Sequence, residues 1–321
     1  MLRIGNLRGI DLSWFEVDFD LTWNALFLAP EGQTLGRFGG RDAHTPQKYH
    51  SLPALNLALR QALKRFRAGE VPKPAPRKPE RAENYPAAAK LPFNACIHCH
   101  HVHEFRRDAL QRARRWSLDD VWIYPQPENV GLTLDINQGD RVLSVKSKSP
   151  AAILGITPKD VLRKIGGVPI ASIADVQYAL NQAPTTGEIR VEWQRNGVRK
   201  GGDLNLPKDW RKTDVSWRWS LKSLSPNPSL IGDDLEPAER AKLGLTPKRL
   251  AYRQMNFLTP TARHAGLRAN DVIIGINDRP LTMTARQFET HIRLYHRVGE
   301  EITLNVLRGK ESVRVKLKLP E

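Results

Sequence analysis

The sequence predicts a multidomain α+β protein: a small N-terminal block, then two copies of one β-rich domain, each with short helices. Three observations predict it. The chain repeats itself: S-P-A-A-I-L-G-I-T-P-K-D-V-L-R-K-I-G-G-V-P-I from Ser149 matches P-T-A-R-H-A-G-L-R-A-N-D-V-I-I-G-I-N-D-R-P-L from Pro260. Gly155 falls on Gly266, Asp160 on Asp271, Ile165 on Ile276 and Pro169 on Pro280, always at one offset. Each copy ends in two alternating strands around a tight turn, Asn196-Gly197 in the first and Arg308-Gly309 in the second. Ahead of the repeat, residues 1–69 read as strand, hairpin and helix.

Each element has a local reason. Residues 15–20, F-E-V-D-F-D, alternate with period two, and N-A-L-F-L-A from Asn24 is a buried-strand pattern. Pro30-Glu31-Gly32 turns the chain into a returning strand at 34–38. Ser51 fits an N-cap and Pro53 a first helical turn, with Leu55, Leu59 and Leu63 on one face. Residues 70–92 are a Pro- and charge-rich linker. Residues 93–124 hold a Cys/His segment and a helix over 106–116 with Leu110 and Ala113 inward. The first repeat then occupies 125–208, a Trp-rich connector 209–236, and the second repeat 237–321. Trp217 and Trp219 in the connector alternate like one face of a strand packed between the repeats. Each repeat carries one amphipathic helix, over 173–180 and 285–294.

Composition bounds the function. At 321 residues, 40% hydrophobic and 26% charged, with mean hydropathy −0.47, the chain has globular composition and no run long enough to span a membrane. The net charge of +16 attracts anionic partners, but no nucleic-acid motif accompanies it. The first residues lack the apolar region of a signal peptide.

The repeat resembles the PDZ domain of HtrA-type bacterial proteases, in a pattern of small-Pro-Ala, Ala-Gly-Leu, Gly-Asp-Val-Ile and a hydrophobic-Asn-Gly-x-Pro-Ile turn. Lys159 and Asn270 stand where that pattern has Gly. The resemblance implies that an extended C-terminal peptide is bound as an added strand, its carboxylate held by a hydrophobic-Gly-hydrophobic loop. Val130-Gly131-Leu132 fits that loop in the first repeat, with Val176 and Leu180 on the opposite wall. Leu243-Gly244-Leu245 is the candidate in the second, although Pro247 removes a donor from the edge that follows. No Gly-x-Ser-x-Gly and no Ser/His/Asp set stands in a plausible context, so the expectation is a recognition module and not an enzyme.

The N-terminal block looks like the closing part of a thioredoxin-like domain. The whole order resembles a family of bacterial thioredoxin-like/PDZ proteins, some of them selenoproteins. The redox motif expected of that family has no position here to map onto.

Both cysteines of the chain and four of its nine histidines lie in F-N-A-C-I-H-C-H-H-V-H-E-F, residues 93–105. Cys96-Ile97-His98-Cys99-His100 has the C-x-x-C-H spacing that attaches c-type haem: two thioethers from Cys96 and Cys99, and His100 on the iron. Two alternatives use the same residues. Cys96, Cys99, His100 and His103 could ligate zinc, or Cys96 and Cys99 could act as a redox dithiol. The expectation is therefore a non-catalytic haem c electron-transfer protein with PDZ modules for protein or peptide ligands. A zinc-stapled scaffold and a thiol–disulfide oxidoreductase stand as its rivals. Haem attachment implies an extracytoplasmic, periplasmic location, a redox partner protein, and residues upstream of Met1.

Overall fold

Strand β1 (Asn24–Leu28) pairs antiparallel with β2 (Thr34–Gly39) around the predicted turn, and helix α1 (Leu52–Arg67) packs on β2. The computed structural model describes residues 1–321 except Ala43, Pro74, Ala75 and Phe93. The linker and the Cys/His segment were expected to include these last three, and that part of each lies outside the described residues. The chain divides into two units, residues 1–213 and 214–321.

Several local expectations in the first unit are corrected. The buried face of α1 is Ala54, Ala58 and Ala62, while Leu59 and Leu63 are about half exposed. Small side chains win this face because Gly36 of β2 lies against Ala62, and only Ala lets the backbones approach so closely. Residues 15–20 form no strand. Val17 and Phe19 are buried, but so are Asp18 and Asp20, and the Phe19 N–H is engaged by His103 Nε2 at 3.1 Å. The next helix, α2 (Cys99–Arg112), starts at Cys99 rather than Arg106, and buries Val102 and Phe105 instead of Leu110 and Ala113. These two join Leu12, Phe19, Ala82 and Ile97 in one core, so part of the predicted linker is folded structure.

The first repeat follows the expected order: β3 (Leu132–Leu134), β4 (Val142–Val145), α3 (Pro150–Ile153), β5 (Val161–Ile165), β6 (Val168–Pro169), α4 (Ile173–Gln182), β7 (Gly187–Arg195) and β8 (Val198–Leu206). Strand β3 pairs with β4, and a second sheet runs β6-β5-β7-β8. Asn196 and Gly197 close the β7–β8 hairpin at φ +48° and +83°, the conformation such a turn demands.

The second unit holds β9 (Gly232–Asp234), α5 (Pro237–Lys242), β10 (Tyr252–Gln254), α6 (Pro260–His264), β11 (Val272–Ile276), β12 (Arg279–Pro280), α7 (Ala285–Tyr295), β13 (Glu301–Arg308) and β14 (Glu311–Lys318). Its sheet runs β14-β13-β11-β10-β9, with β12 on β11. Lys159 and Asn270 adopt left-handed φ of +75° and +64°, so they keep the backbone of the glycines they replace. The Trp-rich connector is not one strand face: Trp217 is buried, Trp219 is more than half exposed and opens a 3-10 turn, and Trp210 belongs to the first repeat's core.

Candidate peptide-binding site

A groove that accepts an added strand needs an open strand edge, a carboxylate-holding loop and a helical wall. The first repeat presents a strand edge, a glycine turn ahead of it and a helix beside it. Among the described residues β3 pairs only with β4, leaving its other edge without a strand. A 3-10 turn, Pro127–Val130, leads into Gly131 at φ +88° and then into β3. A Cβ on Gly131 would stand 2.1 Å from the Ser149 side chain, so only glycine fits this loop. Val130, Leu132, Val176 and Leu180, the residues expected at loop and wall, are buried in one core. Gly139, beyond the end of β3, lies against Ser172 and Ile173 at the start of α4, and α4 also touches the turn before β3. Strand and helix are therefore antiparallel walls of one groove.

Residues 37–41 and 49–51 of the same chain pack against α4, the turn before β3 and the loop after it. The Arg37 N–H donates to Asp175 Oδ1 at 3.0 Å, and the Ser172 hydroxyl donates to the Arg37 carbonyl at 2.6 Å. The Arg37 guanidinium stacks on the Tyr178 ring, 3.4 Å from its centroid. Gly40, at φ +109°, reaches the middle of α4, where a Cβ would stand 2.8 Å from Gln177 Oε1 and 3.3 Å from the Tyr49 ring. Gln126 Nε2 then donates to the Arg41 carbonyl at 2.9 Å, beside the carboxylate-loop turn. The chain returns through Tyr49, 4% exposed, to Ser51, whose hydroxyl lies 2.6 Å from Asn137 Oδ1 past the far end of β3. Among the described residues Tyr49 is the one residue N-terminal to the repeat in the buried core that holds Val130, Leu132, Val176 and Leu180. Sequence reasoning missed this strap; its one local signal is the Gly39-Gly40 pair, both at positive φ where the chain must approach α4 closely.

In the second repeat the predicted loop is corrected. Leu243, Gly244 and Leu245 close the C-terminus of α5, with Gly244 at φ +66°, and form no strand edge. The edge strand is β9, and the hydrophobic-Gly step is Ile231-Gly232, twelve residues earlier in the chain. The extra helix α5 between β9 and β10 displaces the register that the repeat offset suggests. A Cβ on Gly232 would meet the Arg253 carbonyl at 2.2 Å and the Tyr252 ring at 2.4 Å. The Tyr252 hydroxyl reaches Glu289 of α7 at 2.9 Å, joining sheet and helix.

The Cys/His residues do not assemble as one four-ligand site. Cys96 is exposed, Cys99 packs half-buried at the first turn of α2, and both are free thiols. His100 Nδ1 lies 2.7 Å from Glu104, whereas His103 Nε2 turns to Asp18 at 3.1 Å. Among the described residues, ligand atoms gather as His100, His101 and Glu104, and separately as Asp18, Asp20 and His103, with neither cysteine in either group. Burial pushes the Cys99 thiol pKa up, opposite to the shift that activates a thiolate.

The comparisons with known proteins bear on both regions. PDZ domain models match residues 141–195 and 242–319. A probable periplasmic serine protease do/HhoA-like of Haemophilus influenzae is 30% identical over 179 residues, covering 54% of this chain and 34% of that protein. Periplasmic serine endoprotease DegP of Salmonella typhimurium is 26% identical, covering 57% of this chain and 34% of its own length. Magnetosome formation protease MamE of Magnetospirillum gryphiswaldense is 24% identical, covering 62% and 29%. The chain thus spans about a third of the length of the curated relatives it matches. Among solved structures, HtrA-type protease AlgW with tripeptide matches at TM-score 0.25 and 22% identity, covering 29% of this chain and 30% of that one. These relatives overturn the expectation of a non-catalytic haem c electron-transfer protein, and with it the zinc-scaffold and thiol-oxidoreductase alternatives. They are serine proteases by name, so proteolysis rather than redox transfer is the chemistry of the proteins this chain resembles. Among the described residues no helix is long and apolar enough to cross a membrane. The chain carries two PDZ domains in tandem, and they are of the HtrA-like kind.

Proposed function

We propose that this chain serves periplasmic HtrA-type proteolysis by capturing the C-terminal ends of polypeptides in the groove of its first PDZ domain. The observation that carries this reading is the unpaired edge of β3 between the Gly131 loop and α4, floored by Val130, Leu132, Val176 and Leu180. The periplasmic setting follows the names of the relatives. The N-terminal hairpin and helix, which we read as the closing part of a thioredoxin-like domain, contribute the strap over the groove. Peptide entry then requires residues 37–41 and 49–51 to yield.

The test is fluorescence polarisation on the whole chain with labelled peptides of random sequence ending in a hydrophobic residue. Free-acid peptides are expected to bind, and the same peptides amidated at the C-terminus are not, because the loop holds a carboxylate. Equal binding of acid and amide forms would refute carboxylate capture.

A further inference from the structure

A second concave site lies beside β2 and α4, lined by residues 33–37 and by Asp175 and Tyr178. It is a cleft of about 540 Å³ walled by residues of the N-terminal block, by Pro72, Lys73, Pro76, Arg77 and Lys78, and by the first PDZ domain. Its charge is lopsided. Arg37, Arg65, Lys73, Arg77 and Lys78 line it, against two acids, Glu16 and Asp175. Both acids are engaged by Arg37, at 2.5 Å and 3.7 Å. Among the described residues Arg65, Lys73 and Lys78 form no ion pair.

The walls are also polar in a way that the protein leaves incomplete. Gln33 Oε1, Ser13 Oγ and Arg65 Nε are buried atoms without a hydrogen-bond partner, and all three residues line this cleft. Gln33 is only 6% exposed. Buried polar atoms are nearly always partnered, so three orphans around one cavity mark a place built for a polar guest. Some of the cations are held in position. The Arg77 guanidinium lies over the Trp14 ring at 4.2 Å and donates to the Gly32 carbonyl at 2.7 Å. Trp14 itself sits on Gly32, where a Cβ would overlap the indole. Arg65 donates to the Leu35 carbonyl from inside the cleft. Burial and the neighbouring Arg37 hold the Arg65 pKa below its ordinary value, so a nearby anion would relieve a standing electrostatic cost.

We infer that this cleft binds a small multivalent oxyanion, carrying phosphate or carboxylate groups, between Arg65 on one wall and Lys73, Arg77 and Lys78 on the other. Planar guanidinium groups suit such oxygens, and the lysines add charge without fixed geometry. The orphan Ser13 hydroxyl and Gln33 side chain would complete the contacts to a guest of this size. The guest differs from the peptide of the groove, although Arg37, Asp175 and Tyr178 stand both in this cleft and in the strap.

Isothermal titration of the whole chain with inorganic pyrophosphate, and separately with citrate, tests this at low ionic strength. One saturable site is expected for at least one of them, and which one binds identifies the phosphate or the carboxylate source. The double substitution Lys73→Ala with Lys78→Ala alters two exposed side chains and is expected to weaken binding about tenfold, as for lost charged contacts. Arg65→Gln is expected to abolish it. Arg190→Gln, on the exposed face of β7, is expected to leave it unchanged. No saturable binding of either anion overturns the inference. So does an equal loss in Arg190→Gln and the lysine pair, since attraction would then come from net charge alone.

Discussion

Asp160 is fully buried, yet both of its oxygens meet Arg195, at 2.8 and 2.7 Å, and the same guanidinium reaches the Gly155 carbonyl. The second PDZ domain repeats the arrangement with Asp271, Arg308 and Gly266. The aspartates are legible in the repeat, because each sits one position after the left-handed residue. Their arginines are not, since they lie 35 and 37 positions later in the same domain, at the ends of β7 and β13. Burial alone would raise the Asp160 pKa, but Arg195 and the Thr157 N–H hold it below the usual carboxylate range. Its contribution to stability is therefore present above the unfolded-state pKa and is lost as pH falls through the lower folded value. Asp160→Asn is expected to cost about 2 kcal/mol at neutral pH by leaving the guanidinium half paired. Urea denaturation of the variant measures it, and an unchanged midpoint would refute the role. Asp140 behaves in the opposite sense. It is 3% exposed, one oxygen has no partner, and burial raises its pKa to about 6 with Arg163 only partly offsetting. Its folded pKa lies above the unfolded one, so its contribution is fully present below about pH 4 and is lost as pH rises through 6. Asp140→Asn is expected to gain about 1–2 kcal/mol over the native chain at pH 7.5 and nothing at pH 4. A difference that stays flat across this range in thermal melts would count against the assignment.

At the scale of elements, sequence patterning found the repeats well and the N-terminal block less well. Hairpins and helices of the PDZ domains follow from alternation, Asn-Gly turns and caps, all of which are local. The leucine stripe of α1 misled because helical periodicity reports an apolar face without saying which partner claims it, and the close approach of β2 at Gly36 favours Ala54, Ala58 and Ala62. The Cys/His segment differs from the sequence reading in its side-chain placement. Helix α2 begins within the motif, so its side chains are distributed by helical geometry toward Glu104 and Asp18 instead of converging. The strands and helix of the first repeat were legible, whereas the strap over them depends on contacts between residues 85 to 138 positions apart. Tyr49→Ala is expected to loosen that strap. Peptide affinity should rise about three- to tenfold while the melting temperature falls by several degrees, as for loss of a buried aromatic side chain. Affinity unchanged or reduced in a folded variant would show that the strap does not compete with peptide.

Across the whole molecule, the N-terminal block and the first PDZ domain share one unit, and the second PDZ domain forms the other. The net charge of +16 was readable from composition, but its local concentration beside β2 was not, because the cleft joins residues of the first 40 positions, Lys73, Arg77 and Lys78, and the β5–β6 turn. The oxyanion titration belongs to this scale, as does the peptide titration, since each needs surfaces that only the folded unit brings together.

The strap has a practical corollary for dissection. A fragment cut at the repeat boundary near residue 125 would lose Tyr49, Gly40 and the Arg37–Asp175 pairing together, baring the apolar trough along α4 and stranding a buried carboxylate. Such a piece would be stickier and less soluble than the same residues in their parent, and any promiscuity it showed would be an artefact of excision. Cleavage near residue 213 meets the natural seam and leaves both halves with their own cores intact.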